Sequence, residues 1–363
     1  MFEAPRKEWT ELLALLRLLN TSSLSCADTR GRASDAHHTL DYVQRLESNG
    51  TRTYRRSPEG IVISTDAEGG HAPILVDFEM WEQATAHAFE LLRAANDDNF
   101  VLVSDEMEAW LDEIQMLSIG GTGEGQHHLL LALDGAAPQL ATLLSRVGGV
   151  PTRLLDGGRT ANIKLEQTGT RFAAPMAAKV NYLESEETVR DRMLLVERMG
   201  SSLKYHNVAD RVFRANLALI DLHLGRLLCE MLRFSYLENV LRMDELLAAL
   251  RVLNPLKVST ELIEKHRYYE HQLSRLLLAC LAGMRPGKIY RGETSLSPYV
   301  LLLQPDSQIV MFDGKDRETL AGFLLHNTRL ERGAMEKDKY GNLERENNVY
   351  YFKLNLKIAL TKR

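Results

Sequence analysis

Adjacent histidines, His127 and His128, follow a glycine-rich loop in the stretch IGGTGEGQHHLLLAL, residues 119–133. A glycine loop can cradle phosphate on backbone N–H groups, and imidazole can ligate a metal. Neither chemistry is complete here. GGTGEG is not followed by Gly-Lys-Ser/Thr, so it is not a Walker-type loop. It leads into a strand-like apolar run rather than opening a helix, which removes the dinucleotide fingerprint. Neighbouring side chains on a strand point to opposite faces, so the two histidines cannot chelate one metal together. The stretch reads as a turn into a core strand.

Two acidic groups deserve the same test. Asp112 and Glu113 in WLDEIQ fall on a predicted helix, where paired acids ordinarily form a solvated face. LLDGGRTANIKLE supplies Asp156, Asn162 and Lys164. The spacing resembles an Asp followed by (Asp/Glu)-x-Lys, in which carboxylates hold Mg²⁺ and the lysine orients or activates water. Asn162 stands where the second acid would be, and Asp156 is only 6 residues upstream, too near for ordinary adjacent strands. No Ser-His-Asp, Cys-His or HExxH arrangement is present.

The elements that must position these residues are α+β in kind. KEWTELLALLRLLN has apolar residues at helical spacing and predicts an amphipathic helix. RTYRRSPEGIVIST predicts a hairpin with Pro-Glu-Gly in the turn. ILVDFEMWEQATAHAFELLRAA reads as a strand end and a helix, and Ser104 as the N-cap of a helix over SDEMEAWLDEIQML. Long helices follow. Val208, Val212, Ile220, Leu224, Leu227 and Met231 make one apolar stripe, and Asn254–Pro255 breaks the chain before a helix around Leu262–Leu281. The tail returns to strands in YVLLLQPDSQIVMF and NVYYFKLNLKIAL. The expected division is 1–184, a nuclease-like core with an acidic beginning; 185–283, helical; and 284–363, β-rich and packed on the core.

Bulk properties bound the function. With 45% hydrophobic and 26% charged residues, the chain has the composition of an ordinary soluble globular protein. Cys26, Cys229 and Cys280 are far apart, which argues against a disulfide framework and suits a reducing, cytoplasmic setting. No signal peptide or membrane span is legible. The net charge of −5 gives no support to a dominant nucleic-acid surface, but its distribution is uneven. Residues 1–120 hold 10 Lys+Arg against 21 Asp+Glu, a net of −11, which leaves +6 for the rest. An acidic first third and a mildly basic remainder fit one acidic face and one DNA-facing surface, or simply unequal solvated faces.

Seven segments, in order, resemble the HpaII family of type II restriction endonucleases. KEWTELLALLRLLNTSSLSCAD is similar to the family's opening G-E-W-S-E-L…L-L…G-x-L…A-A-D, and AWLDEIQ to its F-L-D-E-I-H. GVPTRLLDGGRTANI fits G-S-P-S-T-L-L-N-A-G-K-T-T-N-F without a gap, and VFRANLALID resembles F-x-N-L-x-x-I-D. LAGMRPGKIYRGE, FLLHNTRLE and YYFKLNLKIAL resemble the segments that close the family pattern. The resemblance implies a restriction-endonuclease-like mixed sheet core that binds duplex DNA. In the family it implies cleavage of CCGG with Mg²⁺ through an aspartate in K-A-D-I and a lysine in F-S-I-K-S.

Carried across residue by residue, that motif is replaced. The lysine falls on Ser145, the residue two before it on Leu143, and the aspartate on or beside His128. A leucine cannot ligate Mg²⁺, a serine brings no charge, and imidazole is a poor partner for a hard cation. Glu8 and Glu11 match two family glutamates. Near the C-terminus the family's T-A-S-T-T-R-H-G-F-G corresponds to RGAMEKDKYG, which keeps the aromatic-Gly pair as Tyr340–Gly341 but puts Ala334 for its serine and Lys337 for its arginine. Lysine can meet a phosphate but does not replace an arginine that forks onto guanine.

The expectation is therefore a DNA-binding protein of a restriction or phage-defence system without an intact nuclease centre, needing no cofactor. Arg329, Arg332, Lys337, Lys339 and Arg345 are its candidate phosphate contacts, or else simply a solvated basic loop. A partner protein of a defence complex supplies the chemistry, and a homodimer stays open as well. Two alternatives stay open: an active Mg²⁺-dependent endonuclease using a relocated site such as Asp156 and Lys164, and a protein-interaction scaffold docking through its acidic third.

Overall fold

A computed structural model describes residues 2–47, 50–66, 72–95, 101–116, 119, 129–292 and 296–362. His127, His128 and the glycine loop before them lie outside the described residues. The chain forms two compact units: residues 1–152, 297–323 and 362–363, and residues 153–296 and 324–361. A reading by consecutive segments has no signal for the return of 297–323 to the first unit.

In unit 1, β1 (Phe2–Pro5) pairs with β7 (Val101–Ser104), beside the helix α1 (Arg6–Leu19). A nine-stranded mixed sheet follows from β2 (Ser23–Ala27), β3 (Ala33–Glu47), β4 (Gly50–Arg56), β5 (Ile61–Thr65), β6 (Ile74–Val76), β8 (Leu129–Leu133), β9 (Gln139–Ser145), β13 (Tyr299–Leu303) and β14 (Ile309–Asp313). Its order is β2-β14-β13-β9-β8-β3-β4-β5-β6. β3, β8 and β9 form an antiparallel meander, and β13 joins β9 in parallel. The helices α2 (Phe78–Ala94) and α3 (Glu108–Glu113) complete the unit, and α11 (Arg317–Asn327) leads out of it.

The predicted helix α1 forms, but it is buried on nearly every side: Trp9, Leu12, Leu13, Leu15 and Leu16 are fully enclosed. It lies against β3, β4, β9 and α2, and its middle, Leu12–Leu16, is apolar and enclosed all round rather than along one stripe. The predicted hairpin is β4–β5. Gly60 accepts from the Ser57 N–H at 2.8 Å, and a Cβ there would meet the Val76 carbonyl oxygen at 2.1 Å, so only glycine fits. Ser104 accepts from the Met107 N–H at 3.2 Å just ahead of α3, and Asp112 and Glu113 are exposed.

Unit 2 opens with β10 (Arg153–Asp156), a 3-10 turn (Gly158–Ala161), β11 (Asn162–Gly169), α4 (Ala174–Asn181), α5 (Thr188–Arg198) and β12 (Ser201–Val208). Helices α6 (Arg211–Ile220), α7 (Leu224–Glu238), α8 (Met243–Leu253), α9 (Thr260–Glu264) and α10 (Tyr268–Leu281) follow. It closes with β15 (Thr328–Leu330), α12 (Met335–Asp338), β16 (Leu343–Glu346), β17 (Val349–Asn355) and β18 (Lys357–Leu360). The sheets run β12-β11-β17-β16 and β10-β18-β15.

The stripe expected on one helix is divided. Val208 ends β12, and Asp210 caps α6 by accepting from the Phe213 N–H at 2.8 Å. Asp221 turns extended and separates α6 from α7. The helix expected around 262–281 is broken at Arg267, whose φ of 49° lies in the left-handed region. Among the described residues no helix is long and apolar enough to cross a membrane.

Arg6, 4% exposed, ties the start of α1 to the carbonyls of Leu92, Ala95 and Val147 at 3.1, 2.9 and 2.6 Å. Removing it leaves buried carbonyls without that donor, so Arg6→Ala is expected to cost about 3 kcal/mol, read as a lower urea midpoint. An unchanged midpoint contradicts this role.

Candidate functional site

Ser145 ends β9, and Leu143 lies two residues before it, half-buried against the core that holds α1. The antiparallel register Arg45↔Leu129 places the end of β3, with Glu47, beside the start of β8. β8 runs antiparallel to β9 with Leu130 opposite Leu140, so the motif positions on β9 and the end of β3 share one sheet end. Ser145 is buried and its bonds are those of a turn: its N–H donates to Thr152 Oγ1 at 2.8 Å, and its Oγ accepts from the Val147 N–H at 3.2 Å. Leu143 offers only hydrocarbon. His128, the third motif position, lies outside the described residues.

Glu8, half-buried, and Glu11, 6% exposed, sit one turn apart on α1. Glu11 meets a buried cationic pair that the sequence reading did not single out. Arg45 Nε lies 3.6 Å from Glu11 Oε1, and Arg45 Nη1 lies 3.4 Å from Glu47 Oε1. Arg52 Nη1 lies 3.4 Å from Glu47 Oε2. The Tyr54 hydroxyl donates to Glu47 Oε1 at 2.6 Å. Burial, with Glu47 beside it, pushes the Tyr54 phenol well above its usual range, so it stays a neutral donor. The two guanidiniums also donate to backbone: Arg52 to the carbonyls of Gln115, at 3.1 Å, and Ile114, and Arg45 to that of Ile119.

Two cations thus face two anions in a place almost closed to water. A carboxylate held by guanidiniums and a phenol is a poor ligand for Mg²⁺, which needs oxygens turned toward it. A divalent ion would also meet two buried positive charges. Among the described residues, no group of three or more His, Cys, Asp or Glu could hold a metal ion. These side chains do not fit a divalent metal.

Asp156 and Lys164 fall on different sheets, β10 and β11. Asp156 faces Lys357 Nζ at 3.1 Å, and Lys164 Nζ meets Glu346 Oε2 at 2.6 Å while lying 4.7 Å from the centre of the Tyr351 ring. The hydrogen bond from Lys164 holds the Glu346 carboxyl below its usual range. No hydrogen bond or ion pair joins Asp156 to Lys164 among the described residues. Asn162 is structural in its bonds: buried, it donates to the carbonyls of Asp338 and Lys339 at 2.8 and 3.0 Å.

Those bonds fix the turn that carries the basic candidates. Asp338, also buried, accepts from the Ala334 N–H at 3.1 Å, and the Tyr340 hydroxyl donates to the Gly333 carbonyl at 2.6 Å. Lys337 and Lys339 are exposed on this braced turn, and Arg345 is exposed on β16. The remaining two are engaged within the unit. Arg329 pairs with Glu331 at 3.0 Å, and Arg332 stacks 3.8 Å above the Tyr236 ring and donates to the Ser235 carbonyl.

Breaking the unit 1 network should be asymmetric. Glu47→Gln keeps the shape but leaves two buried arginines short of charge, with an expected loss of about 3–5 kcal/mol in urea denaturation. Tyr54→Phe removes one hydrogen bond, at about 1 kcal/mol. Equal losses would contradict the charge argument.

No solved structure matches the chain. The chain is 22% identical, over 363 residues and 98% of each protein, to the type II restriction enzyme HpaII of Haemophilus parainfluenzae. The model of the HpaII restriction endonuclease family matches residues 5–360, and the chain belongs to that family.

Proposed function

We propose that this protein binds duplex DNA in a restriction or phage-defence system and has no working nuclease centre of its own. The observation that carries the proposal is the pairing of Glu11 and Glu47 with Arg45 and Arg52 beside the β9 end that bears Leu143 and Ser145. Restriction chemistry needs carboxylates open to a metal and a cation aimed at water. Here the carboxylates are neutralised internally, and the lysine position carries a turn-forming serine. Another protein of the system supplies the cut.

The DNA reading rests on family membership and on the braced turn that exposes Lys337 and Lys339. Lysine contacts to phosphate release counterions, so binding should weaken steeply with salt. It should also persist in EDTA, because no metal takes part. Fluorescence anisotropy with a labelled duplex at low salt, with and without EDTA, checks both. Lack of binding at low salt, with co-purification of a second protein, would leave an interaction scaffold instead. Plasmid incubated with Mg²⁺ or Mn²⁺ should stay intact. Discrete cleavage that disappears in Lys164→Ala would return the chemistry to Asp156 and Lys164.

A further inference from the structure

Between α10 and the strand β13, the chain passes through a loop of sequence RPGKIYR, Arg285–Arg291, within unit 2. The loop is held from below by Asn216 of α6, which is 1% exposed. Asn216 Nδ2 donates to the carbonyls of Arg285 and Lys288 at 3.0 and 2.8 Å, and its Oδ1 accepts from the Tyr290 N–H at 3.0 Å. One buried amide thus satisfies three backbone groups of a loop that forms no strand or helix. A second brace comes from the 3-10 turn: Pro286 packs so close to Gly157 that a Cβ there would lie 2.6 Å from the proline Cγ. Gly287 lies beside Thr160 of the same turn at ordinary contact distance.

The fixed loop raises Lys288, Ile289 and Arg291 into solvent. Ile289 is 81% exposed, and Lys288 and Arg291 beside it are exposed as well. Arg159 is exposed on the supporting 3-10 turn, which also packs against α12, the helix bearing Lys337. Arg159, Lys288 and Arg291 form no ion pair among the described residues. The acids nearest this support are already matched, since Lys357 Nζ lies 3.1 Å from Asp156 and 3.2 Å from Asp338. A single exposed apolar residue is ordinary on any surface. An isoleucine at the tip of a doubly braced loop, between unpaired cations, is a different object. The cations fit a polyanion, and the apolar tip fits the stacked bases within it. Duplex DNA has both, and apolar wedges set among basic residues are a physical means of entering a groove.

We propose that the loop Arg285–Arg291 enters a groove of duplex DNA, with Ile289 against the bases and Lys288, Arg291 and Arg159 on the flanking phosphates. This rests on the DNA-binding reading above and identifies the element that makes the contact. All three side chains to be tested are exposed, so their replacement is expected to leave the fold in place, to be checked by thermal melts of the full chain.

Anisotropy titrations with a labelled duplex over a range of salt provide the test. Lys288→Ala and Arg291→Ala should each flatten the log–log salt slope by about 0.9. Ile289→Ser should keep the wild-type slope and its elution from heparin, yet bind the duplex at least about fivefold more weakly. If the wild type binds and the variants match it in affinity and slope, the loop is not the contact, and this inference falls while the DNA reading stands. If Ile289→Ser loses heparin and duplex binding equally, the wedge is wrong. If the wild type fails to bind at low salt, the DNA reading falls and takes this inference with it.

Discussion

Burying a guanidinium without a counter-charge is strongly unfavourable, and unit 1 buries two of them within one hydrogen-bonded cluster. Arg45 and Arg52 therefore dictate their surroundings. Glu47 must end β3 facing inward, Glu11 must come down from α1, and the backbone at Ile114, Gln115 and Ile119 must turn its carbonyls toward the pair. The same requirement fixes the β3–β4 hairpin against α1, because the two arginines stand on its two strands. Structure and ligand chemistry meet at this point: carboxylates engaged by the arginines are not turned toward a metal ion.

The local elements were legible in the sequence, and the reasons are local. Pro-Glu-Gly between two β-prone runs specifies the β4–β5 turn, and the Leu-rich run after Trp9 specifies a helix. The nine-stranded sheet was not legible, because β13 pairs with β9 across more than half of unit 2 in sequence, and no periodicity encodes that partnership. The division of the long helical stripe was missed for a different reason. Val208 and Val212 sit at helical spacing, but Asp210 between them caps a helix that begins only at Arg211.

For the site, sequence reasoning found positions and missed partners. Leu143 and Ser145 were singled out by motif correspondence without their strand, and Glu8 and Glu11 as matches on the first helix. Arg52 went unremarked within the predicted hairpin, and Arg45 was not singled out at all. A signal was there: Val43, Arg45 and Glu47 alternate in phase, as do Arg52 and Tyr54, so an inward valine puts the charged residues inward too. Asn216 was hidden in the same way. It lies in VFRANLALID, a segment compared on its own, and its purpose appears only when the fold brings RPGKIYR onto it.

Unit 1 spends its acids on its arginines, while unit 2 braces exposed cations on a turn and a loop. The most direct test examines one sample twice: an end-labelled duplex held with the protein in low salt and Mn²⁺, read first by anisotropy and then by denaturing electrophoresis. Raised anisotropy and strands of full length are the expected result. Shortened strands from a bound duplex would contradict it.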